Sequence, residues 1–206
     1  MVLAARDLSE RGLNTGTSGN VSVKLNASFL ITPSAIRYDA LEPTHIVEMD
    51  MTGEPQGRMR PSSEWRFHLD LYRDRPEIGA IVHTHPPNCT AVAVLGKDVP
   101  AFHYYVAAAG GTTIRCAPYA TFGTQLLSDH LQRALEDRTA CLLANHGMVA
   151  VGENLEEAMQ LALEVEDLCG VYLKALAAGE PRILGDDEMA EVLERFKSYR
   201  TPPPRF

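Results

Sequence analysis

The stretch "GAIVHTHPP" at residues 79–87 sets two imidazoles, His83 and His85, one small residue apart at the end of an apolar run. In a strand alternate side chains share a face, so both rings project the same way, about 6.6 Å apart at two strand rises. From that separation two ring nitrogens can converge on one metal ion; two half-buried histidines without a ligand fit the pattern equally. A third imidazole, His146, ends the apolar run of "LLANHGMVAVG" between Asn145 and Gly147. A glycine directly after it lets the backbone turn sharply and leaves the ring exposed at the end of a sheet, where α/β folds favour ligand sites. A loop or capping role accounts for His146 alone. Joined to His83 and His85, it completes the three-histidine set of a catalytic zinc with one position open.

A carboxylate is offered by "RPSSEWRFH", residues 60–68. If a helix starts near Ser62 or Ser63, Glu64 lies in its first turn, where it meets the positive end of the helix dipole, and the serines act as caps. Two serines with free backbone N–H groups at a helix start also form an anion site. An anion-holding helix end beside a carboxylate is an unusual pairing if both merely cap. His68, one turn on from Glu64, is a rival ligand, although packing within "FHLDLY" accounts for it. The Gly-rich "TGTSGN" lacks the G-K-[ST] ending of a Walker loop and does not follow a strand as a dinucleotide fingerprint does. As a turn it needs no function; as a second source of phosphate donors it offers Gly19 and Asn20.

Positioning these groups takes short strands and amphipathic helices. "VLAARDLSERGL" has helical periodicity and stops at Gly12; it begins abruptly at Met1, so its first turns are expected to be missing. "VSVKL" and "FLITP" alternate and are expected to pair as a hairpin, and "IVEMDMTGE" reads as a strand ending in a turn. "EWRFHLDLYRDRP" is an amphipathic helix begun by the serine pair and stopped by Pro76. "CTAVAVLG" reads as a short helix, "PAFHYYVAAAGG" as irregular or partly helical, "TIRCAPY" as a strand and "TQLLSDHLQRALED" as a helix. "TACLLANHGMVAVGE" is two apolar runs around a polar elbow, and Asn154 is placed to cap the long helix of "NLEEAMQLALEVEDLCGVYLKALAAG". A last helix, "DDEMAEVLERFKSYR", precedes "TPPPRF", which cannot be helical and is expected to be a flexible tail over residues 200–206. There are no repeats and no long linker, so residues 1–199 read as one mixed α/β domain.

Composition narrows the function. A chain of 206 residues, 45% hydrophobic and 22% charged, suits one globular domain. A formal charge of −8 with no Lys/Arg cluster argues against nucleic acid; a small anionic substrate would need a local positive centre, and a metal could be that centre. Cys89, Cys116, Cys141 and Cys169 form no C-x-x-C pair and sit among apolar or small residues, as buried free thiols do. The start lacks the order of a secretory signal, and no apolar run approaches the roughly 20 residues that span a bilayer. A soluble, cytoplasmic protein is expected.

"TGTSGNVSV", "LITPS", "RPSSEWRFH", "VHTHPPNCTAV", "HYYVAAAGG", "CAPYATFGT" and "NHGMVAVG" occur here in order, and together they resemble the class II aldolase/adducin family from about Leu13 to Tyr199. The resemblance implies a single three-layer αβα domain around a mostly antiparallel sheet, assembled as a homotetramer with its active site at a subunit interface. It implies one Zn2+ per chain held by His83, His85 and His146, with Glu64 as ligand and catalytic carboxylate. Phosphate contacts map onto Gly19, Asn20, Ser34, Ala35, Ser62 and Ser63. Tyr104 maps onto a catalytic tyrosine reaching in from a neighbouring subunit, Tyr199 onto a tyrosine that closes over the substrate, and Phe122 onto the aldehyde side.

The activity so implied is reversible cleavage of a ketose 1-phosphate, L-fuculose 1-phosphate foremost, into dihydroxyacetone phosphate and an aldehyde. A bound metal would stabilise the negative charge left on the ketone fragment. Two departures stand out: this chain reads "TPSA" where the family's aldolases have "TPTG" or "TPSG", and its tail "RTPPPRF" differs. An alanine tolerates positive φ poorly, so the phosphate loop is expected to sit differently. The rivals are a 5-deoxyribulose or 5-methylthioribulose 1-phosphate aldolase, a pentulose 5-phosphate 4-epimerase, a sugar-acid phosphate decarboxylase and a non-catalytic adducin-like module. Glu64 counts against the epimerase, which resembles this motif with an aspartate.

Overall fold

The structure, a computed structural model, describes the backbone of residues 1–199 and the side chains through Lys197. The expectations for the Tyr199 side chain and for the tail at 200–206 lie outside the described residues. Eight strands form one mixed sheet in the order β4-β3-β2-β1-β5-β8-β7-β6. They are β1 (Asn20–Lys24), β2 (Ser28–Ile31), β3 (Val47–Asp50), β4 (Pro55–Gln56), β5 (Ala80–Thr84), β6 (Cys116–Ala117), β7 (Ala140–Leu143) and β8 (Gly147–Gly152). Every pairing is antiparallel except β6 with β7. The predicted strand "TIRCAPY" shrinks to β6 for a physical reason. The Asp98 carboxylate takes the Cys116 N–H at 2.8 Å, and Pro118 has no N–H with which to extend the ladder. The turn after β3 is made by Asp50 Oδ1, which accepts from the backbone N–H groups of Thr52 and Glu54. It returns the chain as β4, an edge strand not visible in the alternation of the sequence.

The helices are α1 (Val2–Glu10), α2 (Trp65–Asp74), α3 (Pro87–Val94), α4 (Gln125–Ala134), α5 (Leu155–Ala178) and α6 (Asp186–Tyr199). The segment "HYYVAAA" forms a 3-10 helix at Tyr104–Ala109. Two apolar clusters hold the fold together. One gathers Val21, Ala80, Val82, Met148 and Ala150 of the sheet with Cys89 and Val92 of α3 and Ala158, Ala162 and Val165 of α5. The other gathers Phe29, Ile31, Ile81, Cys141 and Val149 with Phe67, Leu71 and Tyr72 of α2 and Leu127 and Leu131 of α4. Neighbouring strand residues divide between them, Ile81 to one and Val82 to the other, as the period-two geometry of a strand requires. Each fully buried large side chain contributes about 1.5–3 kcal/mol relative to exposure.

The helix ends are secured individually. Asn154 caps α5, its side-chain oxygen accepting from Glu157 N–H at 3.0 Å. Thr124 does the same for α4 with Leu127 N–H. The start of α3, two residues beyond His85, is held by a different helix: the Glu166 carboxylate of α5 accepts from the N–H groups of Asn88 and Cys89 at 3.0 and 2.8 Å. A negative charge on those orphan donors also meets the positive end of α3. All four cysteines are free thiols, three buried and Cys116 half-buried, and no described helix is long and apolar enough to cross a membrane.

Candidate metal centre

Glu64, His83, His85 and His146 come together: one ligand atom from each lies within 4.8 Å of all the others. The three imidazole centroids stand 4.7–4.8 Å apart with their planes crossed at 68–76°, so the rings are splayed around a common point. His83 Nε2 is 2.9 Å from His85 Nε2 and 3.1 Å from Glu64 Oε2, and His146 Nε2 is 3.5 Å from Glu64 Oε1. On its other side His83 Nδ1 meets the Met148 carbonyl at 2.9 Å. A carbonyl only accepts, so the ring carries its hydrogen on Nδ1 and, when neutral, turns the Nε2 lone pair inward.

Three segments deliver the four side chains: the end of β5 with the residue after it, the start of α2, and the turn before β8. Residues paired across an antiparallel ladder share a face, and His83 of β5 lies opposite Asn20 of β1 and Val149 of β8. Glu64 stands at the N-cap position of α2. The serines do not cap that helix: no side chain bonds its first turn, and Ser62 Oγ instead accepts the Glu64 N–H at 3.3 Å. His146 follows a left-handed residue, Asn145 at φ 55°, whose N–H is held by the Ala93 carbonyl at 3.2 Å. The elbow expected of Gly147 therefore belongs to Asn145. Gly147 is needed for space, since a Cβ there would lie 2.4 Å from the Thr84 carbonyl oxygen and 2.7 Å from His85 Cδ2.

The electrostatics favour a cation at the focus. Burial raises the Glu64 pKa, but the charge and hydrogen bond of His83, followed by His146 and Asn20, bring it down to about 2. Burial lowers His83, yet Glu64 and the Met148 carbonyl outweigh it and leave the pKa raised. Burial and then the charge of His83 lower His85 to about 3 and His146 to about 4. One proton can join two acceptors; here four acceptors meet, and Glu64 Oε1 is buried without a hydrogen-bond partner. A tetrahedral ion bound at about 2.0–2.1 Å sets its ligand atoms about 3.3 Å apart, in line with the separations of 2.9, 3.1 and 3.5 Å. The residues fit a metal ion.

His68, the rival ligand, is outside the cluster: it is buried, with its ring nitrogens facing Ser22 and Asn20. Of the groups expected to contact phosphate, two segments come together. A bridge between Pro33 and Pro61 sets Ser34 and Ala35 beside Ser62 and Ser63. Ser34 N–H is taken by the Arg60 carbonyl and Ser62 N–H by the Thr32 carbonyl, both at 3.0 Å. Among the described residues no hydrogen bond uses the N–H of Ala35 or Ser63. Ala35 adopts φ +62° despite its Cβ, so the loop keeps the left-handed turn that a glycine would favour. The side chain of Asn20 is only 1% exposed and donates to Glu64 Oε2 at 3.0 Å. Tyr104 and Phe122 are 51% and 64% exposed. Tyr104 stacks on His103 with centroids 4.8 Å apart.

One residue went unmarked in the sequence. Asn14 Oδ1 accepts the His85 N–H at 3.1 Å, and a Cβ on Gly19 would lie 2.5 Å from the Asn14 carboxamide and 2.6 Å from the His83 carbonyl. The "GLNTGTSGN" turn thus braces His83 in β5 and His85 just beyond it. Its only sequence signal was the density of Asn and Gly before the first strand.

Similarity to known proteins assigns the family. The family model for the class II aldolase and adducin N-terminal domain matches residues 1–173, and the chain belongs to the class II aldolase and adducin family. It is 52% identical over 199 residues to the 5-methylthioribulose-1-phosphate/5-deoxyribulose-1-phosphate aldolase of Rhodospirillum rubrum, covering 97% of this chain and 90% of that protein. It is 50% identical over 194 residues to the L-fuculose phosphate aldolase of Escherichia coli, covering 94% and 90%. A solved structure of an L-fuculose 1-phosphate aldolase superposes with a TM-score of 0.91 at 41% identity, over 95% of this chain and 93% of that one.

Proposed function

We propose that the protein is a zinc-dependent aldolase that reversibly cleaves a ketose 1-phosphate, L-fuculose 1-phosphate in the first instance, to dihydroxyacetone phosphate and L-lactaldehyde. The observation that carries this reading is the convergence of Glu64 and three imidazoles, with His83 already held in its ligand tautomer by Met148. His83, His85, His146 and Glu64 would hold the metal, and three nitrogens with one carboxylate suit zinc. When bound, it supplies Lewis-acid stabilisation of the negative charge that carbon–carbon cleavage leaves on the ketone fragment.

The remaining work falls to the chain. Glu64, with its pKa near 2, is ionised at neutral pH and moves the proton at the ketone's carbon, a contribution of about 10²–10⁴-fold. The N–H groups of Ala35, Ser63 and Gly19, the hydroxyls of Ser34, Ser62 and Ser63, and the second carboxamide hydrogen of Asn20 grip the phosphate. This neutral handle aligns the reacting carbons without a basic patch. Tyr104 exchanges the proton on the aldehyde oxygen of a neighbouring subunit's site, a role that its exposure leaves it free to fill. Phe122 and Tyr199 line and close the aldehyde side. On this reading residues 1–199 form a single three-layer domain, supported by the two apolar clusters, and four such chains make a cytoplasmic homotetramer.

The 52% identity to the Rhodospirillum rubrum protein favours a second substrate, a 5-deoxy- or 5-methylthio-ribulose 1-phosphate. It needs the same machinery and a different aldehyde pocket. The deciding experiment offers fuculose, rhamnulose, 5-deoxyribulose and 5-methylthioribulose 1-phosphates and ribulose 5-phosphate separately to zinc-loaded protein, with coupled detection of dihydroxyacetone phosphate. Release from one ketose 1-phosphate supports an aldolase and names its substrate. Pentulose isomerisation without release would replace it with an epimerase, and no turnover with no bound metal would leave a non-catalytic module.

A further inference from the structure

Behind Glu64 runs a chain of buried polar groups with a single direction. Glu64 Oε2 accepts from Asn20 Nδ2 at 3.0 Å, and Asn20 Oδ1 is bonded to His68 Nε2. His68 Nδ1 lies 2.6 Å from Ser22 Oγ, which lies 2.7 Å from the Tyr72 hydroxyl. Asn20, Ser22, His68 and Tyr72 are all buried.

The sense of each bond follows from the first. A carboxylate only accepts, so Asn20 turns Nδ2 toward Glu64 and Oδ1 away. That oxygen also only accepts, so His68 carries its hydrogen on Nε2. The ring is neutral because burial, and then the charge of His83, bring its pKa down to about 3. Its Nδ1 therefore accepts from the Ser22 hydroxyl, whose oxygen accepts in turn from Tyr72. Each link of the chain then joins one donor to one acceptor, as a stable buried polar network requires.

The two ends of a carboxamide are nearly identical in shape, so packing cannot choose between them. Reversed, Asn20 would set its oxygen against the Glu64 carboxylate. We propose that His68 is a positioning residue for Glu64: its Nε2–H fixes the Asn20 carboxamide with the amide hydrogens toward Oε2, and Ser22 with Tyr72 fixes the tautomer that allows this. The inference rests on the proposed function only for the role of Glu64. It gives a purpose to a histidine that apolar packing would otherwise make an expensive choice, since an unpaired buried imidazole is destabilising.

Cobalt(II)-substituted protein tests it, because the visible absorption of the ion reports its ligands without any turnover. His68→Leu, which cannot donate, is expected to shift the spectrum toward that of Glu64→Gln. Cobalt affinity in chelator competition should fall about 10–100-fold, as loss of an outer partner of a ligand does, and kcat should fall with KM little changed. His68→Gln, whose amide hydrogen can serve Asn20 Oδ1, is expected to retain most of both. Ser22→Ala, a smaller excision that releases the tautomer, should move the spectrum in the same direction and decides the matter if the leucine variant does not fold. An unchanged spectrum and affinity in His68→Leu or Ser22→Ala overturns the proposal, as does a glutamine variant as impaired as the leucine one. A normal series of spectra in a protein that cleaves no ketose phosphate would sink the aldolase reading and leave this one standing.

Discussion

Gly147 of β8 packs so closely on Thr84 of β5 that a Cβ would stand 2.4 Å from the Thr84 carbonyl oxygen. That contact seats β8 beside the residue between His83 and His85, and the same Cβ would press on the His85 ring at 2.7 Å. Gly147→Ala is therefore expected to displace His85 and to cost about 1–3 kcal/mol of stability, as overpacking does. Zinc content after dialysis and thermal unfolding measure both effects, and a variant that holds zinc and melts like the parent would show that the strands part without strain.

Ala35 makes the opposite case. At φ +62° its Cβ bears the cost of a left-handed conformation, about 1–2 kcal/mol for an L-residue, while a glycine would bring back about 0.5–1 kcal/mol of backbone entropy loss. Ala35→Gly is expected to raise stability by a few tenths of a kcal/mol up to about 1 kcal/mol. Because the alanine already adopts the left-handed turn, KM for the proposed ketose phosphate substrate should stay within about twofold, a ratio worth well under the 1.4 kcal/mol of a tenfold change. Scanning calorimetry and steady-state kinetics test the pair, and a lower melting temperature would contradict the strain.

The contrast between these two residues shows what the sequence could reveal. The H-x-H spacing, the apolar run into His146 and the motif around Glu64 were legible because period and residue type carry them. The source of the elbow at His146 was not legible: Asn145 and Gly147 both permit a turn, and only the approach of β5 assigns one to conformation and the other to space. Nor could the sequence show that Asn20 faces His83, because strand register depends on which strands become neighbours. β6 and β4 were misjudged or missed where side chains, Asp98 and Asp50, compete with the ladder for backbone N–H groups.

Glu64→Gln removes the charge and keeps the shape. His83, His85 and His146 are unaltered, so the variant is expected to stay largely metal-loaded in metal-supplemented buffer, at lower affinity, while kcat falls about 10²–10⁴-fold. Metal analysis and turnover on the same preparation decide it; a near-normal rate would remove Glu64 from the chemistry.

Glu166 gives a test outside the ligand set. Its half-buried carboxylate satisfies two N–H groups at the start of α3, and leaving those donors without a partner costs about 1 kcal/mol. Glu166→Ala should lower the melting temperature and, because α3 follows His85 so closely, weaken zinc retention. A fall in stability with zinc retention unchanged would confine Glu166 to the helix.

Acidification separates the imidazoles by sign. His68 and His85 titrate near 3 and His146 near 4 in the fold, against an ordinary 6.5, so the unfolded chain takes up their protons first. The stability they contribute is complete above about pH 6.5 and is lost progressively as the pH falls toward the folded values. His83 runs the other way: its raised pKa contributes stability that is complete below 6.5 and is lost as the pH rises through the folded value. Glu64, lowered from 4.5 to about 2, loses its contribution only below that range. Three groups oppose one, so chelator-treated protein is expected to melt progressively lower between about pH 7 and about pH 5. If the proposed zinc site is right, added zinc binds the neutral rings and should move that loss to lower pH. Melting temperatures across the range, with chelator and with zinc, provide the check, and a chelated protein that gains stability on acidification would mean that the rings are charged in the fold.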